Sequence, residues 1–112
     1  MELRHRIILH LPEKKFVDGR LEDITIGRTS VSDTFEERLQ NIGADGYYTQ
    51  KATGHYKFRS YPETIFTLYC GDEDDVGKII KVFEDLFTEH REEVQQEAIA
   101  YEIGDRLYIK DI

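Results

Sequence analysis

Residues 64–87 read TIFTLYCGDEDDVGKIIKVFEDLF, a run of β-formers followed by a helical pattern. Thr64 to Cys70 are mostly β-branched or aromatic, which predicts a buried strand. The acids at 72–75 then supply a helix start, because carboxylates stabilise the positive end of the helix dipole. Apolar side chains recur behind them on one face of a long helix, which His90 would end: Val76, Ile79, Ile80, Phe83 and Phe87.

The chain before this stretch also alternates between strands and helices. Residues 3–11 carry apolar side chains at alternate positions and end at a proline, which predicts a half-buried strand. Several helix caps are available at Ser30, Ser32, Asp33 and Thr34, and Thr34 with Glu37 has capping-box spacing. Apolar side chains three to four residues apart follow, with a glycine at residue 43. This pattern predicts a short amphipathic helix. Residues 47–51 and 55–59 predict a hairpin joined through 52–54.

The C-terminal residues complete the sheet. Gln96 to Ile103 predict a strand, and Gly104-Asp105 predicts a tight turn into a last short strand. In order, these elements predict a ferredoxin-like α+β sandwich of βαββαβ type. Its antiparallel sheet would carry two helices on one face and a short C-terminal hairpin. With 112 residues, we expect a single α+β domain over residues 1–112.

Composition limits where the protein works. The longest fully apolar run is four residues, Ala98 to Tyr101, which excludes a membrane-spanning helix by sequence. The single cysteine, Cys70, cannot form an internal disulfide, as is usual for proteins of reducing compartments. We therefore expect a soluble, cytoplasmic protein.

Charge is distributed unevenly along the chain. Residues 1–70 contain ten acids and ten bases, whereas residues 71–112 contain thirteen acids and five bases, which accounts for the whole net charge of −8. A surplus of this sign repels nucleic acid and anionic membranes. The sequence therefore predicts no direct binding to either.

A basic aromatic segment, residues 47–61, is the first candidate site. It holds three bases, four tyrosines, a phenylalanine and a histidine, and no acid. In an extended strand His55, Lys57 and Arg59 would share one face, with Tyr56 and Phe58 turned inward to the core. Charge-assisted donors bind oxyanions strongly, so the segment predicts an anionic-ligand site. Its expected residues are Lys57, Arg59, Tyr48 and Tyr61, with His55 as a candidate for proton transfer. An ordinary amphipathic strand explains the same alternation.

An acidic helical face is the second candidate site. Its members are Asp85, Glu89, Glu92 and Glu93. Like charges four residues apart disfavour a helix, and acids in a last turn oppose its dipole. Such a face can imitate the phosphate backbone and occupy a basic partner surface. The simpler alternative is a solvated charged face.

Other chemistry has little support in the sequence. No pair of histidines or cysteines has metal-ligand spacing, so we expect no metal site. Neither a nucleophile elbow nor a glycine-rich phosphate loop occurs, and we predict no cofactor. Cys70 at the end of a buried strand is expected to be an inert thiol.

These observations lead to one hypothesis and two alternatives. The first is a non-catalytic binding protein, such as a small acidic inhibitor, of phage or mobile-element type, of a nucleic-acid-handling complex. The alternative is a small protein or enzyme that binds an anionic ligand or nucleotide at residues 47–61. A further alternative is a structural homodimer formed through the last hairpin, residues 101–110, since uncovered sheet edges invite strand addition.

Overall fold

A computed structural model describes residues 2–112, which form nine strands and three helices. The strands and helices follow in the order β1 (His5–Pro12), β2 (Lys14–Val17), β3 (Arg20–Asp23), β4 (Thr25–Ile26), β5 (Thr29–Ser30), α1 (Val31–Asn41), β6 (Tyr47–Tyr56), β7 (Arg59–Cys70), α2 (Glu73–Glu89), α3 (Arg91–Val94), β8 (Ala98–Ile103) and β9 (Arg106–Asp111). The fold is a mixed α+β fold, as the sequence predicts.

Five strands form one antiparallel sheet in the order β6-β7-β1-β8-β9. The central strand β1 fixes the register, because Leu9 lies opposite Phe66 on one side and Tyr101 on the other. Paired side chains of an antiparallel sheet point to the same face. These three therefore share the face that carries the core.

The helices α1 and α2 cover that face. Phe35 of α1 packs edge-on against Phe66 of the sheet at 5.1 Å between ring centroids and against Phe83 of α2 at 5.5 Å. Phe83 also contacts Phe87, at 5.1 Å. All four rings are fully buried. Edge-to-face pairs of this kind add to the apolar burial that holds helix and sheet together.

Both long helices begin where the sequence supplies a capping side chain. Ser30 accepts a hydrogen bond from the Asp33 amide at the start of α1, and Asp72 accepts one from the Asp75 amide at the start of α2. Each cap satisfies one of the amides that a first turn leaves unpaired. No helix within residues 2–112 is long and apolar enough to cross a membrane.

The expected βαββαβ order is not the order of this chain. Four short strands, β2 to β5, lie between β1 and α1 and form two separate two-stranded sheets. A fifth strand, β9, extends the main sheet beyond β8 through the predicted Gly104-Asp105 turn. The α+β class with an antiparallel sheet is confirmed, and the architecture is a five-stranded antiparallel sheet with three helices.

The β6–β7 hairpin is longer than the sequence suggests. β6 continues through Gly54, which pairs with Tyr61, so the predicted break at 52–54 is wrong. The chain reverses instead at Lys57 and Phe58, both in the left-handed region with φ of 50° and 61°. Two successive left-handed residues match the twist of a two-residue hairpin turn, although glycine or asparagine is usual there. A turn without glycine gave no sequence signal.

Candidate functional site

The face of the sheet opposite α1 and α2 carries a group of ionisable side chains from three strands. We call this side the open face; its residues near the centre are Ile8, His10, Glu63, Ile65, Ala100 and Glu102. His10 of β1 lies opposite Ile65 and Ala100, so it occupies the middle of the sheet. The carboxyl groups of Glu63 and Glu102 reach it from β7 and β8.

The imidazole of His10 lies between these two carboxylates, and we call the three residues the His10 cluster. Its Nε2 is 2.8 Å from Glu102 Oε2, a charge-assisted hydrogen bond, and its Nδ1 is 3.7 Å from Glu63 Oε2. The side chains of His10, Glu63 and Glu102 are 25%, 21% and 31% exposed. The cluster is thus partly withdrawn from water but still reaches the protein surface.

The surroundings of His10 favour its protonated form. The Glu63 carboxylate contributes most to raising the pKa of His10 above its ordinary value of 6.5. Burial of the ring opposes this, and Glu102 adds to the rise, so the net pKa is raised. With the imidazolium between two carboxylates the cluster carries one net negative charge. It can therefore accept one further cation.

A second polar group fixes the end of the sheet next to the cluster. The Glu13 carboxylate accepts hydrogen bonds from the hydroxyls of Ser32 and Thr64, and Lys51 Nζ lies 3.6 Å from it. Lys51 also donates to Thr64 at 2.9 Å. These contacts join the start of α1 to β6 and β7. They hold the strand that carries Glu63 in place.

The structure separates the residues of the predicted anionic-ligand site. Tyr48 lies opposite Thr67, whereas Tyr61 lies opposite Gly54, six residues away on β6, which is about 20 Å along a strand. Lys57 forms an ion pair with Glu97 at 3.0 Å. Arg59 lies over the ring of Phe16 at 4.5 Å, a cation–π contact, so both cations already have partners.

Two expectations about the same hairpin are wrong. His55 pairs with Ser60 and Tyr56 with Arg59, and adjacent strand residues face opposite ways, so His55 and Arg59 do not share a face. Tyr56 and Phe58 do not help to form the core, since they are 53% and 110% exposed. His55 Nδ1 lies 3.0 Å from the Ser60 hydroxyl, at the exposed end of the hairpin and away from the His10 cluster.

Two of the four acids of the predicted acidic face form ion pairs with a lysine or an arginine, and a third lies near a histidine. Asp85 pairs with Lys81 at 3.0 Å, Glu89 with Arg38 at 2.7 Å, and Glu93 lies 3.5 Å from His90. Glu92 is exposed. Arg38 comes from α1, far away in the chain. Of these contacts, the Arg38–Glu89 pair brings a base from the N-terminal half of the chain to the acidic half.

The last hairpin is arranged as the self-association hypothesis requires. β9 is an edge strand of the main sheet, and its Leu107 and Ile109 are 59% and 69% exposed. Homodimerisation itself stays a prediction.

Two open grooves lie elsewhere on the molecule. One, of about 390 Å³, is lined by the C-terminal end of α1 and by Cys70, and the other, of about 380 Å³, runs along α2 beside Ile103. Burial raises the pKa of the Cys70 thiol, and Asp75 and Asp72 raise it further, which keeps the thiol protonated. Within residues 2–112 no group of three His, Cys, Asp or Glu side chains is arranged to hold a metal ion.

The His10 cluster has no direct signal in the sequence. The only local signal was the alternation of residues 3–11, which turns His10 away from the core. Glu63 and Glu102 are 53 and 92 residues further along the chain, and only the strand register brings them to the same place.

Comparisons with known proteins give a shared fold and no family. No protein-family model and no curated protein gives a significant match to the chain. A phage SAM lyase in its apo state is similar in structure, with a TM-score of 0.57 and 18% identity, over 96% of this chain and 87% of that one. Phage SAM lyase in complex with S-methyl-5'-thioadenosine is similar with a TM-score of 0.51 and 14% identity, over 96% and 88%.

These neighbours correct the functional expectation. Both are structures of an enzyme that acts on a nucleoside compound, which contradicts the hypothesis of a non-catalytic binding protein or inhibitor. They agree better with the alternative of a small-ligand enzyme. At this level of identity the comparison shows that this chain has the same fold as a SAM lyase.

Proposed function

We propose that this protein binds S-adenosylmethionine (SAM) on the open face and cleaves it as a lyase, releasing S-methyl-5'-thioadenosine. The single observation that carries the proposal is the His10 cluster, a net-negative site of two carboxylates around an imidazolium on the fold of a SAM lyase. SAM carries two positive groups, a sulfonium and an α-ammonium, and one carboxylate. A site with surplus negative charge suits such a ligand.

The reaction limits which positive group the carboxylates should hold. Cleavage breaks the bond between the sulfonium sulfur and Cγ of the methionine part, and the electron pair stays on sulfur, which becomes a neutral thioether. A lyase adds no water, so Cγ either bonds to the substrate's own carboxylate oxygen or becomes part of a double bond as a proton leaves Cβ. In both routes the sulfonium charge disappears and the ammonium charge persists.

Carboxylates next to the sulfonium would therefore slow the reaction, because they would stabilise the substrate more than the transition state. Carboxylates that bind the ammonium stabilise the substrate and the transition state equally, and they fix the orientation of the amino-acid part of SAM. We assign Glu63 and Glu102 to the ammonium. The sulfonium would then lie over the apolar centre of the open face, near Ile8 and Ile65, where loss of its charge is favoured.

Glu63 is the stronger candidate of the two carboxylates. Glu102 is engaged by the 2.8 Å hydrogen bond to His10, whereas Glu63 lies at 3.7 Å and has more capacity for a new donor. His10 contributes by holding both carboxylates on one side of the sheet. Its raised pKa means that it keeps its proton to higher pH, so we do not assign it as the base of an elimination.

The proposal is tested by incubating the purified protein with SAM and measuring S-methyl-5'-thioadenosine by chromatography. We expect formation above the rate in buffer alone, with many turnovers per protein. The E63Q variant should lose most of this activity, whereas E92Q, which changes an exposed acid on the acidic face, should retain it. Equal rates with and without the wild-type protein would reject the proposal.

A further inference from the structure

We infer that Gly54 is a positioning residue for Glu63: the missing side chain at residue 54 leaves the space in which the Glu63 carboxylate lies. The inference rests on the proposed function in so far as Glu63 binds the substrate, but its geometric part can be tested without substrate. Gly54 is neither in a turn nor in contact with the core, so its strand position alone does not call for glycine.

The two residues are diagonal neighbours on paired strands. Gly54 of β6 lies opposite Tyr61 of β7, and Glu63 lies opposite Ala52, one pair further along the same face. A Cβ atom added at Gly54 would lie 2.6 Å from Glu63 Oε1, 2.7 Å from Cδ and 3.0 Å from Oε2. The whole carboxylate therefore occupies the place of the missing side chain.

Backbone conformation gives no second reason for glycine here. Four glycines of the chain have a φ between 64° and 79°, in the left-handed region, and Gly54 is not among them. An alanine at residue 54 is therefore compatible with the strand, where glycine is the less favourable residue. The atoms that it would meet are the far end of one flexible side chain, so the cheapest response is a displacement of Glu63.

That displacement has two consequences. Glu63 contributes most to the raised pKa of His10, so displacing its carboxylate changes this pKa. It also moves the carboxylate off the position at which the substrate ammonium is bound. Misplacement of a substrate-positioning group by about 1 Å can cost about 100-fold in rate.

The experiment compares G54A with G46A. Gly46 is the matched control, because a Cβ there meets nothing within 4 Å and its backbone is not left-handed. Circular dichroism first confirms that both variants are folded. The pKa of His10 is then measured by NMR titration of its ring proton, assigned with H10Q, and kcat/KM is measured with SAM.

We expect G54A to shift the pKa of His10 from its wild-type value and to reduce kcat/KM by about 100-fold, with both quantities unchanged in G46A. E63D shortens the side chain and should relieve the clash with an alanine at residue 54. G54A should therefore reduce kcat/KM much less in the E63D background than in the wild type. A wild-type pKa of His10 in G54A would overturn the inference, as would a shifted pKa with unchanged kcat/KM. If the wild-type protein does not act on SAM but G54A still shifts the pKa, the proposed function fails while the spatial role of Gly54 stands.

Discussion

Replacing Glu63 by glutamine tests which part of the substrate the His10 cluster recognises. The change removes one negative charge and keeps the size and shape of the side chain. Glu63 is 21% exposed, so its charge is partly screened by water, and a hydrogen bond to a charged group in such a place contributes about 1.5–3 kcal/mol. This corresponds to a loss of about 10- to 150-fold in affinity.

Three ligands separate the possibilities: S-adenosylhomocysteine and S-methyl-5'-thioadenosine are measured by isothermal titration, and SAM, which the protein would cleave during a titration, is measured by kcat/KM. SAM has the sulfonium and the ammonium, S-adenosylhomocysteine keeps the ammonium but has a neutral sulfur, and S-methyl-5'-thioadenosine has neither charge. If Glu63 binds the ammonium, E63Q weakens recognition of SAM and of S-adenosylhomocysteine by the same factor. It leaves the binding of S-methyl-5'-thioadenosine unchanged. E92Q should change none of the three.

Two results would refute this reasoning. A loss for SAM alone would mean that Glu63 contacts the sulfonium, which the transition-state argument excludes for an efficient lyase. An equal loss for all three ligands would mean that E63Q disturbs the sheet and has no specific role in charge recognition.

Three further predictions concern the folded protein. The raised pKa of His10 means that its contribution to stability is complete below about pH 6.5 and is lost as the pH rises through the raised value. Urea unfolding between pH 5 and 9 should show this decline in the wild type, and H10Q should flatten it. F83A should lower the free energy of unfolding by about 3–5 kcal/mol, because Phe83 is fully buried among three aromatic rings, and chemical denaturation will measure it. F58A, which removes a fully exposed ring, should change it by less than about 0.5 kcal/mol; a large loss there would show an unrecognised contact. Cys70 should react slowly with a thiol reagent in the native protein, since burial raises its pKa, and rapidly in urea; fast native labelling would contradict its burial.

The parts of the fold that the sequence predicted are those with local signals. β7 and α2 follow from the β-rich run and the three-to-four periodicity of residues 64–87, and α2 begins at the acids as expected. The turn at Gly104-Asp105 has the residues that a tight hairpin requires. The β6–β7 turn does not, because Lys57 and Phe58 replace the usual glycine, and Gly54 suggested a turn three residues too early.

The site depends on long-range pairing, which no local pattern records. His10 looked like the polar position of an amphipathic strand, and Glu63 was one of 23 acids with no reason to prefer it. Residues 47–61 were predicted to bind an anion because of their cations. In the structure Lys57 is paired with Glu97 and Arg59 with the Phe16 ring, and both partners come from distant parts of the chain. Gly54 likewise had no functional meaning until the diagonal contact with Glu63 was known.

The most direct test of the account is a crystal structure of the wild-type protein with S-adenosylhomocysteine, which keeps the amino-acid part of SAM but has a neutral sulfur as a poor leaving group. We predict that the ligand lies on the open face, with its ammonium within hydrogen-bond distance of Glu63 and near Glu102. A ligand bound instead in the groove beside Cys70, about 23 Å away along β7, or with its ammonium directed away from both carboxylates, would contradict the account.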